Sequence, residues 1–215
     1  TIVVPPDGVH SDLEEAVRRE FGLVDVVIAE YGGTDESSML ASLGAAGAAY
    51  LETTLSASDR VGISSWSSTL LATVDSMAPR TAGLALEIVQ VIGGVGNPAV
   101  QVQATRLTDR FARVTGAVPK FFPAPGIVGS RAARDALLDD PYIQELTAEW
   151  KNLTVLLAGI GSLQPSPLLK DSGNAISEAE MDNLRTLHAV GDVCLRFFDA
   201  AGDMVDTELH DRVLG

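Results

Sequence analysis

Between Arg60 and Met77 the chain reads R-V-G-I-S-S-W-S-S-T-L-L-A-T-V-D-S-M, and this run restricts the fold more than any other in the sequence. Arg60 to Ile63 has the character of a buried strand end, Ser64 to Ser68 is a polar loop, and Thr69 to Met77 places Leu70, Leu71, Val74 and Met77 at helical spacing. A strand that passes through a Ser-rich loop into a helix leaves first-turn N–H groups without acceptors, and the helix dipole favours negative charge there. Hydroxyls at Ser64, Ser65, Ser67, Ser68 and Thr69 could hold an anion beside those groups. The same serines could equally cap the helix and close a surface turn.

The remaining segments alternate in the same sense. Ser11 to Phe21 is predicted as an amphipathic helix with a Ser11/Glu14 capping box and Gly22 beyond its end, followed by a buried strand over Leu23 to Ala29. Ser37 to Leu55 is a helix rich in small residues, and its Gly44 and Gly47 imply close approach to another backbone, expected to be a sheet. Leu86 to Ile92 is a further strand, broken at Gly93, Gly94 and Gly96, where open α/β sheets bind ligands. The G-G-V-G pattern lacks the third glycine of a dinucleotide fingerprint. Gln103 to Thr115 is a helix with Arg106, Arg110 and Arg113 on one face, Val118 to Phe122 a strand, and Arg131 to Leu138 a helix. Another helix runs from Pro141, capped by Asp140, to about Trp150.

Leu153 to Ala158 is a strand that ends at Gly159-Ile160-Gly161-Ser162, read as a third Gly/Ser turn on a shared crevice. Ser177 and Glu180 form a capping box for a helix to about Leu187, with Ile176 and Met181 as its hydrophobic staple. Val193 to Phe198, a turn, and Met204-Val205 read as a strand and its return. Asp192 either faces the crevice and accepts hydrogen bonds from ligand hydroxyls or serves as a turn residue. Strands separated by helices of this length require right-handed crossovers and a mostly parallel sheet, so a single α/β domain is expected over the 215 residues.

Charge and composition narrow the function. A formal net charge of −14 opposes association of this polypeptide with nucleic acid, although a dipole and a few donors can still dominate inside a cleft. The single cysteine, Cys194, excludes an internal disulfide and is expected in the core. One Cys with His10, His188 and His210 far apart is a poor zinc set, and Gly62-Ile63-Ser64-Ser65-Trp66 lacks the second glycine of a hydrolase elbow. Lys120, Lys151 and Lys170 sit in no Schiff-base motif. No cofactor and no metal are expected. Neither a secretion signal nor a membrane span is legible, which fits a cytoplasmic protein, and a first residue of Thr rather than Met hints that something precedes it.

Six segments taken in order carry a family likeness: L-E-E-A-V-R-R-E-F-G-L (13–23), V-G-I-S-S-W-S-S-T-L (61–70), P-A-P-G-I-V-G-S (123–130), D-P-Y-I (140–143), A-G-I-G-S-L (158–163) and A-V-G-D-V-C-L-R-F-F-D-A-A-G (189–202). Together they resemble the effector-binding domain of SorC-type bacterial transcriptional regulators. The resemblance implies a three-layer Rossmann-like domain over residues 1–215, similar to ribose-5-phosphate isomerase, glucosamine-6-phosphate deaminase and CoA-transferase-like domains. It also implies that a sugar, polyol or sugar phosphate is bound without turnover.

The site residues it implies are Gly62, Ser64, Ser65, Trp66, Ser67, Ser68 and Thr69 for a phosphate or sugar end. Gly93, Gly94, Gly96, Gly159 and Gly161 would line the crevice, and Asp192 would contact hydroxyls. A homodimer or homotetramer is implied, with DNA bound only through a helix-turn-helix region before Thr1. Two departures stand out. The family's usual G-G-x-x-K helix and final strand after D-R-V-L-G (211–215) are missing, and Ser67 stands where many relatives have glycine. An isomerase or deaminase on the same fold, or a plain oligomerisation module, would be the rival readings; turnover of sugar phosphates, or self-association indifferent to small ligands, would mark them.

Overall fold

The computed structural model describes residues 10–79, 83–94, 98–164 and 176–215, with backbone alone for 98–104. Four parallel strands form the central sheet in the order β3-β2-β1-β4: β1 (Arg60–Ile63), β2 (Glu87–Gln90), β3 (Val118–Lys120) and β4 (Val155–Leu157). The crossovers carry α3 (Ser68–Ser76) after β1 and α4 (Pro98–Thr115) after β2; α5 (Arg131–Leu138) and α6 (Pro141–Glu149) lie between β3 and β4. Mostly parallel Rossmann-like α/β architecture is therefore present as expected.

Strand alternation explains how β1 is seated. Val61 and Ile63 point into a cluster with Val74, Leu107 and Phe111 from the helices. Gly62 faces the other way, where a Cβ would lie 2.7 Å from Leu153 Cδ1 and 2.9 Å from Val91 Cγ1. The glycine thus lets side chains close directly over the central strand. Trp150 covers that side, donating its indole N–H to the Gln90 carbonyl at 3.2 Å, with its ring 5.1 Å from that of Phe122. Trp150 packs against two core clusters.

A second sheet, antiparallel in the order β5-β6-β7, follows: β5 (Ile160–Ser162), β6 (Ala189–Val193) and β7 (Arg196–Asp199), with α7 (Glu178–Thr186) before β6. Ser177 and Glu180 form the expected capping box on α7, and Ile176 packs against the cluster that holds Met181. Two expectations are corrected here. Gly159 to Ser162 is not a turn: residues 160–162 pair with β6 as an edge strand. The strand read over Val193 to Phe198 is a hairpin, because Cys194 and Leu195 turn the chain with φ of 54° and 63°. Two successive left-handed residues match the twist of a tight hairpin.

The N-terminal portion departs most. α1 (Ser11–Phe21) has the expected bounds and ends at Gly22 with φ +62°, but there is no Ser11/Glu14 capping box. The Glu14 carboxylate instead accepts the Ile28 N–H at 2.8 Å. Leu23 to Ala29 is not a strand and not buried: Val24 is 97% exposed, and the segment has no sheet neighbour. α2 (Glu36–Thr54), capped by Asp35, packs on α3 rather than on the sheet, with Gly44 against the backbone of Ala72 and Gly47 against the Thr73 side chain. Among the described residues no helix is long and apolar enough to cross a membrane.

Candidate functional site

A cleft of about 620 Å³ opens where the carboxyl end of β1, the start of α3, the N-terminal turn of α2 and the second sheet meet. Its construction begins with the chain leaving β1. Ser64 N–H donates to the Leu157 carbonyl at 3.0 Å, which ties the loop to β4. Trp66, 7% exposed, donates its indole N–H to the Gly93 carbonyl at 3.0 Å and so fixes the loop against the end of β2. Ser67 then caps α3, its hydroxyl accepting the Leu70 N–H at 3.2 Å. Both readings of the serine run therefore hold in part. One serine is a cap, while Ser68 and Thr69 line the cleft with first-turn N–H groups that helix geometry leaves without intrahelical acceptors.

The opposite wall comes from the second sheet. Asp192 on β6 is paired across from Gly161 on β5, and its Oδ2 accepts the Leu195 N–H at 3.0 Å within the hairpin turn. Burial raises its carboxyl above the ordinary carboxylate range, and the Leu195 N–H pulls partly back. Cys194 is half-buried in this wall rather than sunk in the core. Burial raises its thiol foremost; a hydrogen bond from the Ser64 side chain acts the other way.

Apolar surface from Leu163, Ile176, Met181 and Phe197 completes the enclosure. Phe197 is held from behind: its N–H donates to His210 Nε2 at 2.8 Å. His210 therefore presents a lone pair at Nε2 and is neutral there. Burial, and secondarily the Arg196 guanidinium, lower its pKa.

Of the residues singled out in the sequence, the structure brings Ser64, Trp66, Ser67, Ser68, Thr69, Gly159, Gly161 and Asp192 to this one cleft. Gly62 lies within β1, packed by Leu153 and Val91. Ser65 is 3% exposed, its hydroxyl has no hydrogen-bond partner, and it is not part of the lining. Gly93 and Gly94 are buried outside the lining, where a Cβ would overlap Pro125 and Gln90 respectively; they serve packing, and Ile92 represents that strand end in the cleft. Gly96 lies outside the described residues.

Sequence reasoning missed Glu36, Met39 and Leu40, which α2 contributes from its first turns. The signal available was the Asp35 cap, which fixes where α2 begins, but nothing local says which element its start will face. None of the described lining residues is Lys, Arg or His, so anion attraction here rests on the start of α3. Among the described residues no group of three His, Cys, Asp or Glu is placed to hold a metal ion. Chemically the cleft offers N–H and hydroxyl donors at one end, carboxylates of Asp192 and Glu36 as acceptors, and apolar walls. This is a combination suited to a small polyhydroxylated molecule.

Residues 8–215 match the family described as "Putative sugar-binding domain". Curated relatives include the sorbitol operon regulator of Klebsiella pneumoniae, 28% identical over 206 residues that make up 94% of this chain and 64% of that protein. The deoxyribonucleoside regulator of Bacillus subtilis is 27% identical over 209 residues, 97% of this chain and 64% of that protein. The chain thus spans a little under two thirds of the length of these relatives. Among solved structures, the probable sor operon regulator from Shigella flexneri superposes with a TM-score of 0.85 at 28% identity, covering 96% of this chain and 80% of that one. The full-length sorbitol operon regulator SorC from Klebsiella pneumoniae gives 0.85 at 26% identity, covering 100% of this chain and 69% of that one.

Proposed function

This chain belongs to the sugar-binding-domain family found in SorC-type transcriptional regulators, and from that premise we propose that it is the ligand-sensing domain of a sugar-responsive regulator. Its cleft takes a sugar, polyol or sugar phosphate and releases it unchanged. The observation that carries this reading is the convergence, on one hollow of about 620 Å³, of the α3 N-terminus with the Asp192 carboxylate. An oxygen-rich end of the ligand meets the N–H groups of Ser68 and Thr69 and the neighbouring hydroxyls. Ligand hydroxyls donate to Asp192 and Glu36.

Output follows from differential affinity. A ligand that prefers one arrangement of a homo-oligomer by roughly 1–3 kcal/mol changes the affinity of a linked operator-binding region about 5- to 150-fold. Contact with DNA is assigned to a separate region of the whole protein, since this acidic chain repels phosphate at long range.

The test is thermal unfolding of the purified chain against free and phosphorylated polyols, pentoses and hexoses. Saturating ligand at 100 times Kd stabilises by about 2.7 kcal/mol, a rise in Tm of several degrees. No stabilisation by any of these compounds would overturn the reading of the site. Conversion of a stabilising compound to product would overturn recognition without turnover.

A further inference from the structure

The edge strand β5 and the residue before it bring two glycines to the cleft. Gly159, just before β5, and Gly161 within it are two residues apart and present no side chain to the cleft, while Ile160 between them also lines the cleft and is 82% exposed. Each vacant Cβ position has been taken by a side chain from another element. A Cβ at Gly159 would stand 3.2 Å from Ser67 Oγ, at the start of α3. A Cβ at Gly161 would overlap Asp192 Oδ1, because the Asp192 carboxylate folds across the glycine opposite it in the ladder.

Asp192 Oδ2 is engaged by the Leu195 N–H, and Oδ1 has no hydrogen-bond partner among the described residues. A half-buried carboxylate oxygen held in this way is an acceptor waiting for a donor. Positions i and i+2 of an extended chain are roughly 6.6 Å apart. The donor-rich start of α3, packed on Gly159, and the free acceptor, packed on Gly161, are therefore spaced by the backbone between the two glycines.

Resting on the ligand-sensing reading above, we propose that Gly159 and Gly161 are the specificity-determining residues of the cleft. They act as a fixed spacer that selects ligands by the distance between an oxygen-rich terminus and a hydroxyl. Gly161 is a positioning residue, acting through Asp192, and Gly159 acts through Ser67. The ligand class is a short linear or ring-closed polyol bearing an anionic or otherwise oxygen-rich end, distinguished by chain length. Molecules with the same groups at a different separation satisfy one end only, and lose a charge-assisted hydrogen bond worth about tenfold or more in affinity.

Titration calorimetry with erythritol 4-phosphate, ribitol 5-phosphate and sorbitol 6-phosphate, and with the three free polyols, tests this. The wild-type chain is expected to separate its best member from its neighbours by about tenfold in Kd. Gly161→Ala should weaken the best member about tenfold and flatten the length ranking, whereas Gly129→Ala, whose added methyl has nothing within 4 Å, should keep both. Should Gly161→Ala fail to fold, Asp192→Glu serves instead: the longer carboxylate narrows the gap and should move the preference toward the shorter polyol. A length ranking unchanged in every folded variant, or a wild type that binds all chain lengths alike, overturns the spacer while leaving the cleft as the sugar site. If none of the six compounds binds, the site reading itself fails, and the spacer with it.

Discussion

Asp192 holds a carboxylate where burial works against its charge, and that has a consequence for stability. Its folded pKa lies above the unfolded one, so the folded state grips the proton more tightly and the ionised form is destabilising at neutral pH. The cost is absent well below the unfolded value of about 3.9 and grows as pH rises through the raised folded value. Asp192→Asn keeps an oxygen for the Leu195 N–H and removes the charge. It should therefore melt at a higher temperature than wild type at pH 7, lose that advantage as the pH is brought down to 4, and, on the ligand-sensing reading, bind a stabilising sugar, polyol or sugar phosphate more weakly; melting curves at the two pH values and calorimetry check this. At this scale the sequence was informative where chemistry is local. Ser67 reads as a cap and the α7 box reads as a box. Ser11 misled, because Glu14 found a better use in the Ile28 N–H, a contact set by tertiary placement.

α2 meets α3 with glycine where most helix pairs place a larger side chain. A methyl at Gly44 would stand 2.7 Å from the Ala72 carbonyl oxygen, a backbone atom that cannot swing aside. Gly44→Ala gains about 1 kcal/mol of helix propensity, yet overpacking costs about 1–3 kcal/mol, so the net expectation is destabilisation, read from a lower urea midpoint at unchanged slope. The sequence announced the close approach correctly and its partner wrongly: glycines show that a neighbour is near, not whether it is a helix or a sheet. Strands β1, β2 and β4 were legible as apolar runs cut off by Gly or Ser, with shortened ends. Leu23 to Ala29 has strand-like composition but no edge to join, and a strand exists only through its partner. The hairpin at Cys194-Leu195 was hidden because neither residue is the Gly, Asn or Asp that usually marks left-handed backbone.

Over the whole molecule, a net charge of −14 stores self-repulsion in the compact state. Raising the salt from about 20 to about 200 mM shortens the screening length to less than 10 Å and should raise Tm by roughly 2–4 °C, a shift seen by calorimetry with chloride and absent if repulsion is unimportant. The α/β class was readable from order and spacing, and eight of the residues that the family resemblance implied line the cleft. The separate antiparallel sheet and the contribution of α2 were not, since both depend on how distant segments dock. Thr69 belongs to two hollows at once: the cleft, and a smaller one of about 330 Å³ beneath Asp25, Val27 and Ala29, floored by α2 and α3. A wall common to two rooms cannot be pushed from one side alone. On the ligand-sensing reading, an occupant of the N-terminal hollow that shifts this threonine changes the affinity of the cleft for its ligand, and by reciprocity that ligand changes the affinity of the occupant by the same factor.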